Sequence, residues 1–407
     1  MKIIPGGVTA PLGFEAAGIE AGVKYQNRKD MAIVYSQVPC VAAGTFTSNV
    51  VKAAPVRWDM RMVEGSPYVQ AIIVNTGIAN AGTGSEGMAC CEQTALAAAK
   101  ALRIPQEAVL VGSTGVIGPQ LPMDRILAGI EVLAKVKERS QAAGTDAAKA
   151  IMTTDTVHKE FAVEVEIGGK TVTIGAMSKG SGMIHPNMCT MLSYVTTDAV
   201  ISKESLTALV KADVQDTYNM ISVDGDTSTN DTLLVLANGM ADNPEILPGT
   251  PEWETFRQAL HLVNETQAKR LAGDGEGATA LVECVVTGAD SKENARKLAR
   301  SVICSSLNKA AIFGHDANWG RILCALGYSG AKFDPEHMEI SYEAKGEKLL
   351  LYRDGLGVEV DEEKATKLLS EPEVRILADM KMGSETATAW GCDLSYDYVR
   401  INGDYRS

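Results

Sequence analysis

Several common chemical signatures are missing from this chain of 407 residues. Its eight cysteines (Cys40, Cys90, Cys91, Cys189, Cys284, Cys304, Cys324 and Cys392) form no CxxC pair. Such a scatter fits reduced thiols better than a disulfide frame or a zinc site. The five histidines are also dispersed, with no HxxxH or HExxH spacing, so no metal site is expected. No GxSxG elbow occurs, and no Gly-Lys-Ser/Thr follows the glycine-rich run 112–118, which removes the usual serine-hydrolase reading and a P-loop at that run. No apolar run reaches the roughly 20 residues that a bilayer requires. The N-terminus lacks the apolar core and cleavage site of a signal peptide, so a cytoplasmic protein is expected. Positive charge is scarce as well: the formal net charge is −13. A surface of that sign repels nucleic acid and anionic membrane, and neither is expected as a partner.

Hydrophobic residues make up 45% and charged residues 22%, the proportions of a globular protein. The length suggests more than one domain. Branched apolar runs at 70–75, 108–112, 161–167, 232–237 and 279–287 read as strands, with further candidates at 347–351 and 395–401. Residues 161–174 read as a hairpin turning at Gly168-Gly169. Helical periodicity covers 86–102, 123–139, 203–218, 252–271 and 291–310. The alternation of strands and helices predicts an α/β or α+β fold. The Pro/Gly-rich stretch 239–251 reads as an exposed connection, and a second domain is expected to begin after about residue 280.

Four polar, glycine-rich stretches stand out. GSTGVIG (112–118) follows a strand; small residues there let the backbone turn and offer N–H groups to a negative oxygen, or simply make a turn. In 178–197, Lys179 is a cation suited to a carboxylate. Thr190 reads from periodicity as a β-branched strand residue. It also offers a sharper chemistry. If the peptide bond before it were cut, its hydroxyl would acquire a free α-amino group beside it. That group has a reference pKa of roughly 7.7–8.0, near what a general base needs. The acidic, hydroxyl-rich 222–232 lacks the spacing of a calcium loop and reads as a site wall or scaffold. In GDGEGAT (273–279), Glu276 is either a solvated turn residue or the partner of a substrate ammonium group.

Taken together, nine runs carry a resemblance along the chain: PGGVTAPLGFEAAGI, VNTGIANAGTG, STGVIG, IMTTDT, KGSGMIHPNMCTML, SVDGDTSTND, GDGEGAT, DANWGR and YVRINGDYRS. The chain resembles the ornithine acetyltransferase (glutamate N-acetyltransferase) family. The resemblance implies a layered α-β sandwich of the self-processing aminopeptidase/ornithine acetyltransferase type. A main domain would cover 1–280 and a smaller α/β domain 281–407. It implies self-cleavage between Cys189 and Thr190, giving chains 1–189 and 190–407, with two copies of each assembling. Thr190 would carry the acetyl group from N2-acetylornithine to L-glutamate, and Thr114 and Gly115 would form the oxyanion hole. Thr153, Lys179, Thr190, Glu276, Asn402 and Ser407 would bind substrate. No cofactor is implied, though acetyl-CoA is a candidate co-substrate. Three departures from the family pattern are Cys189 for Ala, Ala317 for Pro in the DANWGR run, and Gly403 for Ala. None removes a named functional group. The competing readings are a self-processing amidase or aminopeptidase that releases its acyl group to water, and an uncleaved binding protein.

Overall fold

The computed structural model describes residues 1–185 and 191–404; Cys189, Thr190 and Ser407 lie outside the described residues. The alternating runs of the first part of the chain become strands β1 (Lys2–Ile4), β2 (Phe14–Ile19), β3 (Met31–Phe46), β4 (Val69–Ile78), β5 (Val109–Val116), β6 (Lys159–Ile167), β7 (Lys170–Lys179) and β8 (Leu192–Thr197). Past a two-residue strand β9 (Ile221–Ser222) comes β10 (Thr232–Ala237). All but β9 form one sheet, ordered β1-β6-β7-β8-β10-β3-β4-β5, with β2 against β3. The long β3 joins its two halves. Residues 41–46 pair antiparallel with β10, and residues 31–35 pair with β2 and β4. The register shifts between Tyr35 and Cys40, where Pro39 has no N–H to give to a ladder.

Every residue of β8 and β10 is buried. Their side chains alternate between two cores. Leu234 and Leu236 join Ile72, Leu110 and Tyr194, while Leu233 and Val235 join Phe256 and Val263 of the helix Pro251–Gly273. A strand covered on both faces needs an unbroken apolar run, and TLLVLA supplies one. The 161–174 hairpin forms as expected, between β6 and β7. Gly168 and Gly169 have φ of +57° and +76°, the left-handed pair that a two-residue turn favours.

A second sheet draws on β11 (Leu281–Ala289), β12 (Glu339–Ala344), β13 (Glu347–Arg353), β14 (Leu356–Gly357), β15 (Glu373–Asp379) and β16 (Glu385–Cys392). Its order is β14-β13-β12-β15-β11-β16-β9, so its last strand comes from the earlier part of the chain. One apolar core runs from Val172 and Val263 to Val282 and Trp390, across both sheets. The architecture is mixed α/β, as expected.

Three expectations need correction. Residues 395–401 do not form a strand; Tyr396–Asp404 is a helix with no buried residue. The Ser395 hydroxyl accepts the Tyr398 amide at 3.3 Å, a start signal that outweighs the β-rich composition of a segment with no sheet face to fill. The expected 291–310 helix is two helices, Lys292–Cys304 and Ser306–Phe313. Ser305 divides them, its side chain accepting the Asn308 amide at 3.3 Å. The 203–218 helix ends at Asp213.

Candidate active site

Thr114 and Gly115 lie at the end of β5, opposite Thr76 and Gly77 of β4. Gly115 has φ +129°, and a Cβ on it would sit 2.2 Å from the Gly77 carbonyl carbon. Only glycine fits where these two backbones touch. Lys179 is the last residue of β7 and pairs with Leu192 of β8. The Lys179 side chain is buried; its Nζ donates to Thr114 Oγ1 at 3.4 Å and lies 3.9 Å from Asp155 Oδ2. Burial lowers its pKa, opposed by Asp155 and assisted by the nearby Lys159. Burial alone would raise Asp155, but Lys179 and Lys159 overcome it and hold that carboxyl well below the usual range.

Asp155 also organises backbone. It accepts the Thr153 amide at 3.0 Å and the Gly180 amide at 2.6 Å. On the far side, the Glu276 amide donates to the Ser181 carbonyl at 3.0 Å. The Glu276 carboxylate accepts from Asn402 Nδ2 at 2.7 Å, which ties the C-terminal helix to this loop. These groups surround a cavity of about 150 Å³, lined by Thr114, Gly115, Thr153, Lys179, Glu276 and Asn402, with Met191, Ser228 and Asn230.

All six described residues singled out from the sequence therefore meet in one place. Thr190 lies outside the described residues, but its neighbour Met191 lines the cavity, and the Met191 carbonyl accepts the Thr232 amide at 2.8 Å. The hydroxyl-rich segment serves as wall and scaffold, as expected. Asp224 accepts the amides of Met183 and Ile184 at 2.6 and 2.8 Å, and Thr227 Oγ1 donates to the His185 carbonyl at 2.8 Å. Asn230 Nδ2 donates to the Ala79 and Ser113 carbonyls at 2.6 and 2.8 Å, joining this wall to β5.

Sequence reasoning missed the support beneath the cavity: Asp155, Lys159 and Asp274. Two of them sit inside singled-out runs, IMTTDT and GDGEGAT, where the glycines and threonines drew attention instead. Lys159 had no such signal, because a lysine at the start of an alternating strand reads as exposed. Among the described residues no three His, Cys, Asp or Glu side chains are grouped to hold a metal ion, and no helix is long and apolar enough to cross a membrane.

The ArgJ family model matches residues 15–407. The chain belongs to the ArgJ family. The "Arginine biosynthesis bifunctional protein ArgJ" of Symbiobacterium thermophilum is 53% identical over 409 residues, 100% of this chain and 100% of that protein. The protein of the same name from Thermotoga neapolitana is 49% identical over 398 residues, 98% of this chain and 99% of that one. A crystal structure of ArgJ from Bacillus halodurans is 45% identical with a TM-score of 0.50, and covers 52% of this chain and 98% of the solved chain. ArgJ membership thus extends over both sheets and every wall of the cavity.

Proposed function

We propose that this enzyme cuts its own backbone between Cys189 and Thr190 and then moves the acetyl group of N2-acetylornithine to L-glutamate. The observation that carries the reading is the cavity beside Met191, where the buried Lys179 ammonium, the Glu276 carboxylate, the Asn402 amide and the Thr114 and Thr153 hydroxyls converge. An amino acid offers the complementary charges. Lys179 takes its carboxylate, Glu276 its ammonium, and Thr153 and Asn402 orient it. Ser407 is a further substrate contact in this reading.

The Thr190 hydroxyl oxygen attacks the acetyl carbonyl carbon, and its proton passes to the α-amino group of the same residue. Thr114 and Gly115 hold the oxyanion that results. The amide C–N bond breaks, the proton goes to the departing ornithine amine, and an acetyl-threonine ester remains. The glutamate amine attacks this ester, and the Thr190 oxygen leaves and recovers a proton. No cofactor enters these steps. Acetyl-CoA would serve as an alternative donor to the same hydroxyl, by exchange of its thioester for the threonine ester.

The solved Bacillus halodurans chain is matched over 98% of its length and covers 52% of this chain, as a fragment of a cut protein would. In this reading 1–280 is the main domain, and 281–407 is a smaller one that brings Asn402 to the pocket. The mature form holds two copies of each fragment, in the cytoplasm. ArgJ membership disfavours the amidase reading. The test is incubation with N2-acetylornithine, with and without glutamate. Acetylglutamate should appear only with glutamate present, and ornithine release indifferent to glutamate would sink the transferase. Thr190→Ala should abolish both cleavage and transfer.

A further inference from the structure

Beneath the cavity lies a lysine with no part in the steps above. Lys159 begins β6, next to the end of β7 through its pairing with Ser178. Its side chain is completely buried. Nζ lies 2.7 Å from Asp155 Oδ1 and 2.6 Å from Asp274 Oδ2, and it donates to the Val157 carbonyl at 3.3 Å. All three ammonium hydrogens therefore have acceptors.

The two carboxylates that Lys159 holds belong to different walls of the substrate site, Asp155 to the Thr153 segment and Asp274 to the Glu276 loop. Asp155 accepts the Thr153 amide and the Gly180 amide, and faces Lys179. Asp274 accepts the Thr156 amide at 3.1 Å, and its carbonyl accepts the Ser181 hydroxyl at 2.6 Å. Two residues on, Glu276 enters the cavity. Three segments distant in sequence, carrying Thr153, Lys179 and Glu276, thus converge on one ammonium group. The four side chains Asp155, Lys159, Lys179 and Asp274 carry two charges of each sign. Such a cluster is stable while complete and strongly destabilised when one charge is left unpaired out of water.

We propose that Lys159 is a positioning residue for substrate binding: held between Asp155 and Asp274, it sets the separation at which Lys179 and Glu276 present their charges to the two ends of an amino acid. This rests on the amino-acid reading of the cavity given above. Lys159 touches no substrate; it acts through the two aspartates. Because Asp155 joins Lys179 while Asp274 joins the Glu276 loop, loss of the link loosens the carboxylate and ammonium subsites relative to each other.

The test uses the processed full-length enzyme and the double variant Lys159→Met/Asp274→Asn, which removes one charge of each sign and keeps the side-chain volumes close. Thermal melting establishes that it folds. KM for N2-acetylornithine and for glutamate should each rise about tenfold or more, with a smaller change in kcat. Loss of stability alone would reduce the amount of active enzyme and leave KM unchanged. The single variants add a readout that a purely structural role would not move. In Lys159→Met a positive charge beside Lys179 disappears, so the alkaline limb of kcat/KM should move to higher pH. In Asp155→Asn the opposite charge is lost and the limb should move to lower pH. Lys159→Arg should restore KM at least in part. A folded double variant with KM unchanged for both substrates overturns the positioning role. Absence of acetyl transfer in the unaltered enzyme is a different result, which overturns the function reading and this inference with it.

Discussion

At Gly182 there is no room for a methyl group, since a Cβ would lie 2.4 Å from Glu276 Oε2. Gly182→Ala should push the Glu276 carboxylate aside and raise KM for both amino-acid substrates by about tenfold, on the order of 1.4 kcal/mol. Steady-state kinetics on cleaved protein would check this. Lys179 sets a pH dependence. Burial lowers its pKa, so its charged form is lost at a pH below the roughly 10.4 of an ordinary lysine. The carboxylate of the substrate binds the protonated form. Affinity should therefore be full below the lowered value and fall as the pH rises through it. A KM–pH profile that stayed flat until an ordinary lysine titrates would contradict this role. At this scale the sequence was informative wherever a residue type is rare in its setting: a lysine, a glutamate and a threonine among glycines drew notice before any fold was known. Asp155 and Asp274 drew none, because an aspartate beside threonine or glycine is ordinary turn chemistry.

At the scale of elements, the stretch on either side of residues 186–190 is tethered by its neighbours. Asp224 supplies acceptors to the Met183 and Ile184 amides, and the Thr232 amide binds the Met191 carbonyl. Asp224→Ala removes the first tether. Cleavage before Thr190 should slow several-fold while the protein still folds, and the ratio of intact to cut chain on a denaturing gel over time would measure it. Elements were legible where burial on both faces imposed a continuous apolar run, as in β10, or where two glycines fixed a turn, as between β6 and β7. They were misread where a local hydrogen bond outweighed composition. Tyr396–Asp404 is β-rich in residue type, yet it buries no residue, and the Ser395 cap starts it as a helix.

On the scale of the whole molecule, the position of the cut matters more than the cut itself. A break before Thr190 would separate β7 from β8, which pair antiparallel from Ile174↔Thr197 to Lys179↔Leu192. It would also leave β3 in one fragment and its partner β10 in the other, paired along Val41–Phe46. Both pairings have cores on either side. The two fragments should therefore co-elute on size exclusion under native conditions and part only in denaturant. Separation of folded fragments in plain buffer would show that the sheet does not bridge the cut.

The sequence by itself offered candidates for chemistry, because that depends on functional groups and their near neighbours: the hydroxyl of Thr190, the ammonium of Lys179 and the carboxylate of Glu276, with roles that the family resemblance implies. It also determined the mixed α/β class, since periodicity is a local property. Only the tertiary structure decided that residues 114, 153, 179, 276 and 402 share one cavity, and that a buried Lys159 links two of its walls. Charge pairs between residues 115 positions apart, such as Lys159 and Asp274, leave no trace in local pattern; they exist because the sheet and its covering helices bring those segments together in a place that water does not reach.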